Sequence, residues 1–133
     1  MRIVILGCGR VGSRLSNSLS AEGHTVVVID KDVEAFRRLN ERLSFKRLAG
    51  AAFSEKVMKQ AFAEATDMFI AVADKDNINI MVAQIVKNLY HVPRILLRVQ
   101  DPVLAELYNG LGMEAVCPTE LSLSEFKKLV AAV

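Results

Sequence analysis

Six short apolar runs alternate with helical patterns along the whole chain, and this alternation predicts an α/β protein with a parallel sheet. Several of the runs are almost continuously apolar, as strands buried on both faces must be. The first run breaks into glycines at "LGCGRVG" (6–12), and the second ends on an acid, Asp30. Together these observations predict a Rossmann-like, doubly wound sheet of six parallel strands with helices on both faces.

Each element has its own justification. "RIVIL" (2–6) is the first strand, and Val11, Leu15 and Leu19 repeat every four residues behind the glycines as the inner stripe of a helix. Gly23 sits where that helix needs a C-terminal cap. "TVVVI" (25–29) is the second strand, and Phe36, Leu39 and Leu43 form a narrow helical stripe after it. "FKRLA" (45–49) is the third strand. Ser54 can cap a helix over 55–63. "MFIAVA" (68–73) is the fourth strand. Ile78, Met81, Val82, Ile85, Val86 and Leu89 then mark one face of a strong helix. "RILLRV" (94–99) is the fifth strand. Asp101 caps a helix over 101–111 with Pro102 in its first turn, and Gly112 closes it. "EAVC" (114–117) completes the sheet.

Six strands and five crossovers therefore use residues 2–117. The expected organisation is a nucleotide-binding domain over 1–118 and a C-terminal helix over 119–133. In that last segment Leu123, Phe126, Leu129, Val130 and Val133 give much apolar surface beside Lys127 and Lys128. The helix either folds back on its own sheet or packs on a neighbouring subunit or lobe.

Bulk properties narrow the function. The chain has 133 residues, 52% of them apolar and 24% charged, which suits one domain with one core. A net charge of +2 leaves no broad basic footprint, so nucleic acid is not the expected partner. Cys8 and Cys117 lie far apart without a secretory signal and read as reduced, buried thiols. No apolar run approaches the roughly 20 residues that cross a bilayer, so any membrane role is expected from the aqueous side without insertion.

Gly7, Gly9 and Gly12 form G-x-G-x-x-G between a strand and a helix. The first glycine permits the tight turn, the second lets backbone approach a pyrophosphate, and the third allows close helix–strand packing. Phosphates then sit at the positive end of the helix beside unpaired N–H groups. Asp30 can accept hydrogen bonds from adenosine ribose hydroxyls and would repel a 2′-phosphate, which disfavours NADP. Arg10 brings a guanidinium to the phosphate end, where it either binds phosphate oxygens or is solvated in the first helical turn. Cys8 is a small side chain in the turn, expected to pack inward.

After the fourth strand, Ala73 and Asp74 should lie across the pocket from the glycines, because strand carboxyl ends line the ligand crevice. Asn77 or Asp76 can cap the helix that follows, and capping is the expected role of Asp76. Arg98 ends the fifth strand and either faces the crevice or pairs with Asp101 or Glu120. Cys117 could approach the crevice edge. His24 and His91 fall in turns at the opposite end of the sheet, and no metal-ligand spacing occurs. A dehydrogenase normally uses a second domain to hold substrate over the nicotinamide, and these residues supply none.

These pieces resemble the nucleotide-binding KTN domain, the N-lobe of RCK domains, of Trk/Ktr-type potassium-uptake regulators. The matching stretches are "ILGCGRVG", "VVVID", "AEATDMFIAVADKDNINIMVAQ" and "VPRILLRVQDPVLAELYNGLGMEAVCPTEL". The resemblance covers residues 1–120, and the late signature is far more specific than the glycines alone. It implies that Gly7, Gly9, Arg10, Val11 and Gly12 form the phosphate loop. By the same resemblance Asp30 binds ribose, Lys31 flanks adenine, Ala73 and Asp74 edge the nucleotide, and Arg98 reaches the ligand region. Asn79 matches an asparagine with a structural role at a helix start. Many members carry Gly-Asp after the third strand where this chain has Gly50-Ala51, so Ala51 removes a polar contact near the adenine.

The family implies a non-enzymatic cytosolic regulator that binds NAD(H) or ATP/ADP and gates a membrane potassium transporter subunit. Its expected assembly is a homodimer within a tetrameric or octameric ring, peripheral to the inner membrane face through the transporter. The competing readings are the cofactor half of a truncated NAD-dependent oxidoreductase and an assembly scaffold with an empty pocket.

Overall fold

A computed structural model describes residues 1–133. Six strands, β1 (Arg2–Leu6), β2 (Thr25–Asp30), β3 (Lys46–Ala49), β4 (Met68–Ala71), β5 (Arg94–Arg98) and β6 (Glu114–Val116), form one all-parallel sheet. Their order is β3-β2-β1-β4-β5-β6. The chain therefore winds outward in one direction from β1 and then, from β4, in the other. Between β1 and β4 the crossovers part, and a crevice opens at the carboxyl ends.

Side-chain alternation sends successive residues of each strand to opposite faces, and two cores result. Val4, Leu6, Val27, Ile29, Phe69 and Leu97 pack beneath α2 (Glu55–Ala61), α3 (Asp76–Ile85) and α4 (Pro102–Gly110). Ile3, Ile5, Val26, Val28, Met68 and Ile70 pack beneath α1 (Arg10–Ala21) and a 3-10 helix (Val33–Arg38). This double burial is why the strands read as continuous apolar runs. On the second face, cover fades toward β6, where Arg94 and Glu114 form an exposed ion pair and Val116 is exposed.

Several expected boundaries shift for local reasons. The stripe of Phe36, Leu39 and Leu43 does not make a longer helix. The 3-10 turn stops at Arg38, Leu39 is extended, and Asn40 starts a new turn by accepting from Arg42 N–H at 2.9 Å. Asn17 fixes this break from α1, its Oδ1 accepting from Asn40 N–H at 2.8 Å. β4 ends at Ala71 rather than 73, because Ala73 N–H and C=O are taken by a side chain, Asn79, instead of a strand. β5 and β6 end one residue early, at Arg98 and Val116, although Val99 N–H still reaches Val116 C=O. Ser54 occupies the cap position of α2 without a side-chain hydrogen bond, whereas Asp101 caps α4 by accepting from Val103 N–H. Gly23 and Gly112 take positive φ after α1 and α4.

α3 runs on as a single π-helical turn (Val86–Tyr90) that ends at His91. The last helix, α5 (Pro118–Ala131), buries none of its residues, so it does not fold back on its sheet. Leu121, Leu123, Phe126, Leu129 and Val130 are all exposed. No helix is long and apolar enough to cross a membrane.

Candidate functional site

The crevice is built on main-chain bonds among β1, β2 and β4. Gly7 N–H donates to Ile29 C=O and Val72 N–H to Leu6 C=O, both at 2.8 Å. Gly7 takes φ +104°, and a Cβ there would stand 2.8 Å from Val72 C=O, so only glycine fits. Gly12 answers it from α1: a Cβ on Gly12 would lie 1.8 Å from Gly7 C=O. Gly9 differs. It has ordinary φ −79°, and a Cβ there would meet nothing within 4 Å. Nothing within the fold requires glycine at position 9, so its bareness serves something that approaches from outside.

α1 opens at this point. The N–H groups of Gly9, Arg10, Val11 and Gly12 meet no acceptor in the chain, and the first turn carries no acidic residue. A helix terminus with free donors and a positive partial charge attracts an anion. Arg10 stands on it, exposed, adding a full charge.

Asp30 ends β2 beside this loop. One carboxylate oxygen accepts from Cys8 N–H at 2.8 Å and the other from Asp32 N–H at 2.9 Å. The acid is thus held rigidly, with lone pairs to spare on both oxygens. Cys8 itself turns under the loop. It is fully buried, and its thiol donates to Ala35 C=O at 3.3 Å. Burial, then the neighbouring Asp30 charge, pushes the thiol above its usual range.

The far wall comes from β4 and β5. Asn79, 1% exposed, accepts from Ala73 N–H at 2.8 Å and donates to Ala73 C=O at 2.9 Å and Arg98 C=O at 3.0 Å. It clamps the ends of the two strands together, a more specific task than a helix start. Arg98 reaches back over β4 and donates to Val72 C=O at 3.2 Å and Ala73 C=O at 2.9 Å. It faces the crevice and pairs with neither Asp101 nor Glu120. Asp76 does not cap α3, whose cap position is Lys75. Its carboxylate accepts instead from Gln100 N–H at 2.9 Å and Asp101 N–H at 3.2 Å, tying the crevice wall to the start of α4.

These elements enclose a cleft of about 710 Å³, within the range of small-molecule sites. Gly7, Gly9, Arg10, Val11, Asp30, Lys31, Ala51, Ala73, Asp74 and Arg98 all line it. Cys8 and Gly12 do not. They lie beneath the loop and shape it rather than face the cavity. Cys117 also lies elsewhere, in a shallower groove between α4 and α5, with its thiol 3.5 Å from Gln100 C=O. His24 and His91 stand at the opposite end of the sheet. Cationic Arg10, Lys31, Arg38, Lys75 and Arg98 outnumber acidic Asp30, Asp32 and Asp74 around the rim.

Sequence reasoning missed Arg38 and Phe53 in this lining. Arg38 leaves the 3-10 helix to donate to Cys8 C=O at 3.3 Å, a contact no motif spacing announces. Phe53 had a usable signal: it is an aromatic residue just after the carboxyl end of a strand, where ligand-facing loops begin.

The family model described as the TrkA-N domain matches residues 3–118. The Trk system potassium uptake protein TrkA of Streptomyces coelicolor is 41% identical over 116 residues, covering 87% of this chain and 52% of its own. The chain thus spans about half the length of that relative. The TrkA-N domain of the inner membrane protein ybaL from Escherichia coli superposes with a TM-score of 0.79 at 22% identity, covering 96% of this chain and 95% of that one. The GsuK channel bound to NAD gives 0.71 at 25% identity, over 86% of this chain and 21% of the channel's.

Proposed function

The chain belongs to the TrkA-N domain family, and on that premise we propose that it is a regulatory nucleotide-binding module of a potassium-transport system. It binds NAD(H) or ATP/ADP in the crevice and passes its occupancy to a membrane transporter subunit by a change of shape. One observation supports this most directly: four free N–H groups and Arg10 face a β2 strand that ends on the fixed carboxylate of Asp30. Phosphates take the first, ribose hydroxyls the second. The same carboxylate disfavours the 2′-phosphate of NADP. Lys31, Ala51, Ala73, Asp74 and Arg98 complete the ligand's surroundings in this reading.

The module acts on the cytoplasmic side, held to the membrane through its partner. Residues 119–133 form its assembly element, a helix whose unburied apolar side chains pack on a second copy or an adjoining lobe, in a dimer that builds a tetrameric or octameric ring. A hydrogen-bond route joins the crevice to that helix. Asp76 holds Gln100 N–H, while Gln100 C=O accepts from Thr119 Oγ1 at 3.0 Å and from the Cys117 thiol, at the base of α5. A nucleotide that moves the wall at 73–77 pulls on this route, and it shifts the ring only by binding one of two shapes more tightly.

Equilibrium binding of ATP, ADP, NAD and NADH, with sedimentation before and after saturation, tests the proposal. Binding of one of these nucleotides with an altered assembly supports it. No binding at millimolar ligand removes the ligand role, and identical assembly in both states leaves only a scaffold. Turnover of NADH with a small carbonyl substrate would favour an oxidoreductase instead.

A further inference from the structure

Phe53 is an exposed phenyl with no structural task in this chain. It is 58% exposed, belongs to neither core and pairs with no other aromatic ring, yet it lines the crevice. Its place there is fixed by Gly50, whose N–H donates to Asp30 C=O at 3.0 Å and holds the start of the segment 50–53 beside the end of β2.

The strand order decides what this segment meets. β3 lies on the far side of β2 from β1. Along the crevice the phosphate loop comes first, then Asp30, then Ala51, Ala52 and Phe53. A nucleotide with phosphates on α1 and ribose at Asp30 has its base over this third station. The side chains there are two methyl groups and a phenyl ring, which offer no hydrogen-bonding atom.

We propose that Phe53 is the base-stacking residue of this site and that its stacking is the main contact the segment 51–53 makes to the base. The proposal rests on the nucleotide-binding reading above. Every base has a π face, and stacking on an aromatic side chain contributes enough to be measured by alanine substitution. Purines, with the larger face, are favoured over pyrimidines.

The experiment uses Phe53→Ala and Phe53→Trp. Because Phe53 is exposed, neither replacement disturbs the core, and because the chain has no tryptophan, the new indole is the sole reporter of its kind. The expected results are a loss of ATP affinity of about 5- to 150-fold in Phe53→Ala, a smaller loss for CTP, and unchanged binding of inorganic tripolyphosphate. In Phe53→Trp, saturating ATP quenches the indole emission and tripolyphosphate does not. ATP binding to Phe53→Ala as tight as to the parent, or an indole unmoved by ATP, overturns the stacking role alone. A parent protein that binds no nucleotide overturns both this role and the reading beneath it.

Discussion

Gly12→Ala and Gly9→Ala differ by one methyl group each, and the structure assigns them opposite consequences. At Gly12 the new Cβ would stand 1.8 Å from Gly7 O and 2.7 Å from Gly7 C. Ordinary contact needs about 3.5 Å, so α1 and the turn must part by roughly 1.7 Å. Gly7 cannot yield cheaply, because its N–H is bonded to Ile29 C=O and the main chain of Val72 and Ala73 leaves no room for even a methyl group beside it. Overpacking typically costs about 1–3 kcal/mol, and a clash between two main chains belongs at the upper end or beyond. Some 3 kcal/mol, set against a typical total of about 5–15, lowers the melting temperature on the order of 10 °C. At Gly9 the methyl group meets nothing and φ is ordinary, so the change costs within about 1 kcal/mol at a helix cap. Its effect falls on phosphate approach, with nucleotide affinity reduced about tenfold or more, equivalent to about 1.4 kcal/mol. Urea unfolding followed by circular dichroism gives the first quantity and equilibrium binding the second. Gly12→Ala as stable as the parent, or Gly9→Ala unfolded alongside it, would refute this division of labour.

Asn79→Ala removes three hydrogen bonds and takes the side-chain partner from Ala73 N–H and Arg98 C=O, a loss of about 3 kcal/mol. A melting temperature within a few degrees of the parent would show that the clamp is dispensable. The Cys8 thiol gives a pH signature. Unfolded it ionises near 9.0, and folded it ionises higher. Its contribution to stability is therefore complete below pH 9 and is lost as pH rises through the folded value. Urea midpoints from pH 8 to 10 should fall, and fall less in Cys8→Ala; parallel profiles would count against the buried thiol as the cause.

The strands, their order of use and the glycine loop were legible because each leaves a local record. Double burial writes apolar runs, and a turn that admits only glycine writes glycine. Spacing and strand ends accordingly put Gly7, Arg10 and Asp30 at the crevice, while leaving Arg98 open between the crevice and an ion pair. The stripe of Phe36, Leu39 and Leu43 misled because Asn17, twenty-three residues before Asn40, breaks the helix from outside. The position of Asp76 suits a cap, yet its carboxylate is claimed by Gln100 and Asp101. Such partners come from another crossover, so no local pattern reveals them.

By itself, then, the sequence determined a doubly wound sheet with an anion-attracting helix start and a carboxylate at the next strand end. Those properties depend on residues near in the chain, through periodicity, turn sterics and backbone dipoles. Tertiary structure decided which groups join these in the crevice wall. It set Arg38 and Phe53 in the wall, made Asn79 a clamp between two strands, and left α5 without cover. Each of these follows from strand order and crossover packing, which bring residues far apart in the chain within hydrogen-bonding distance.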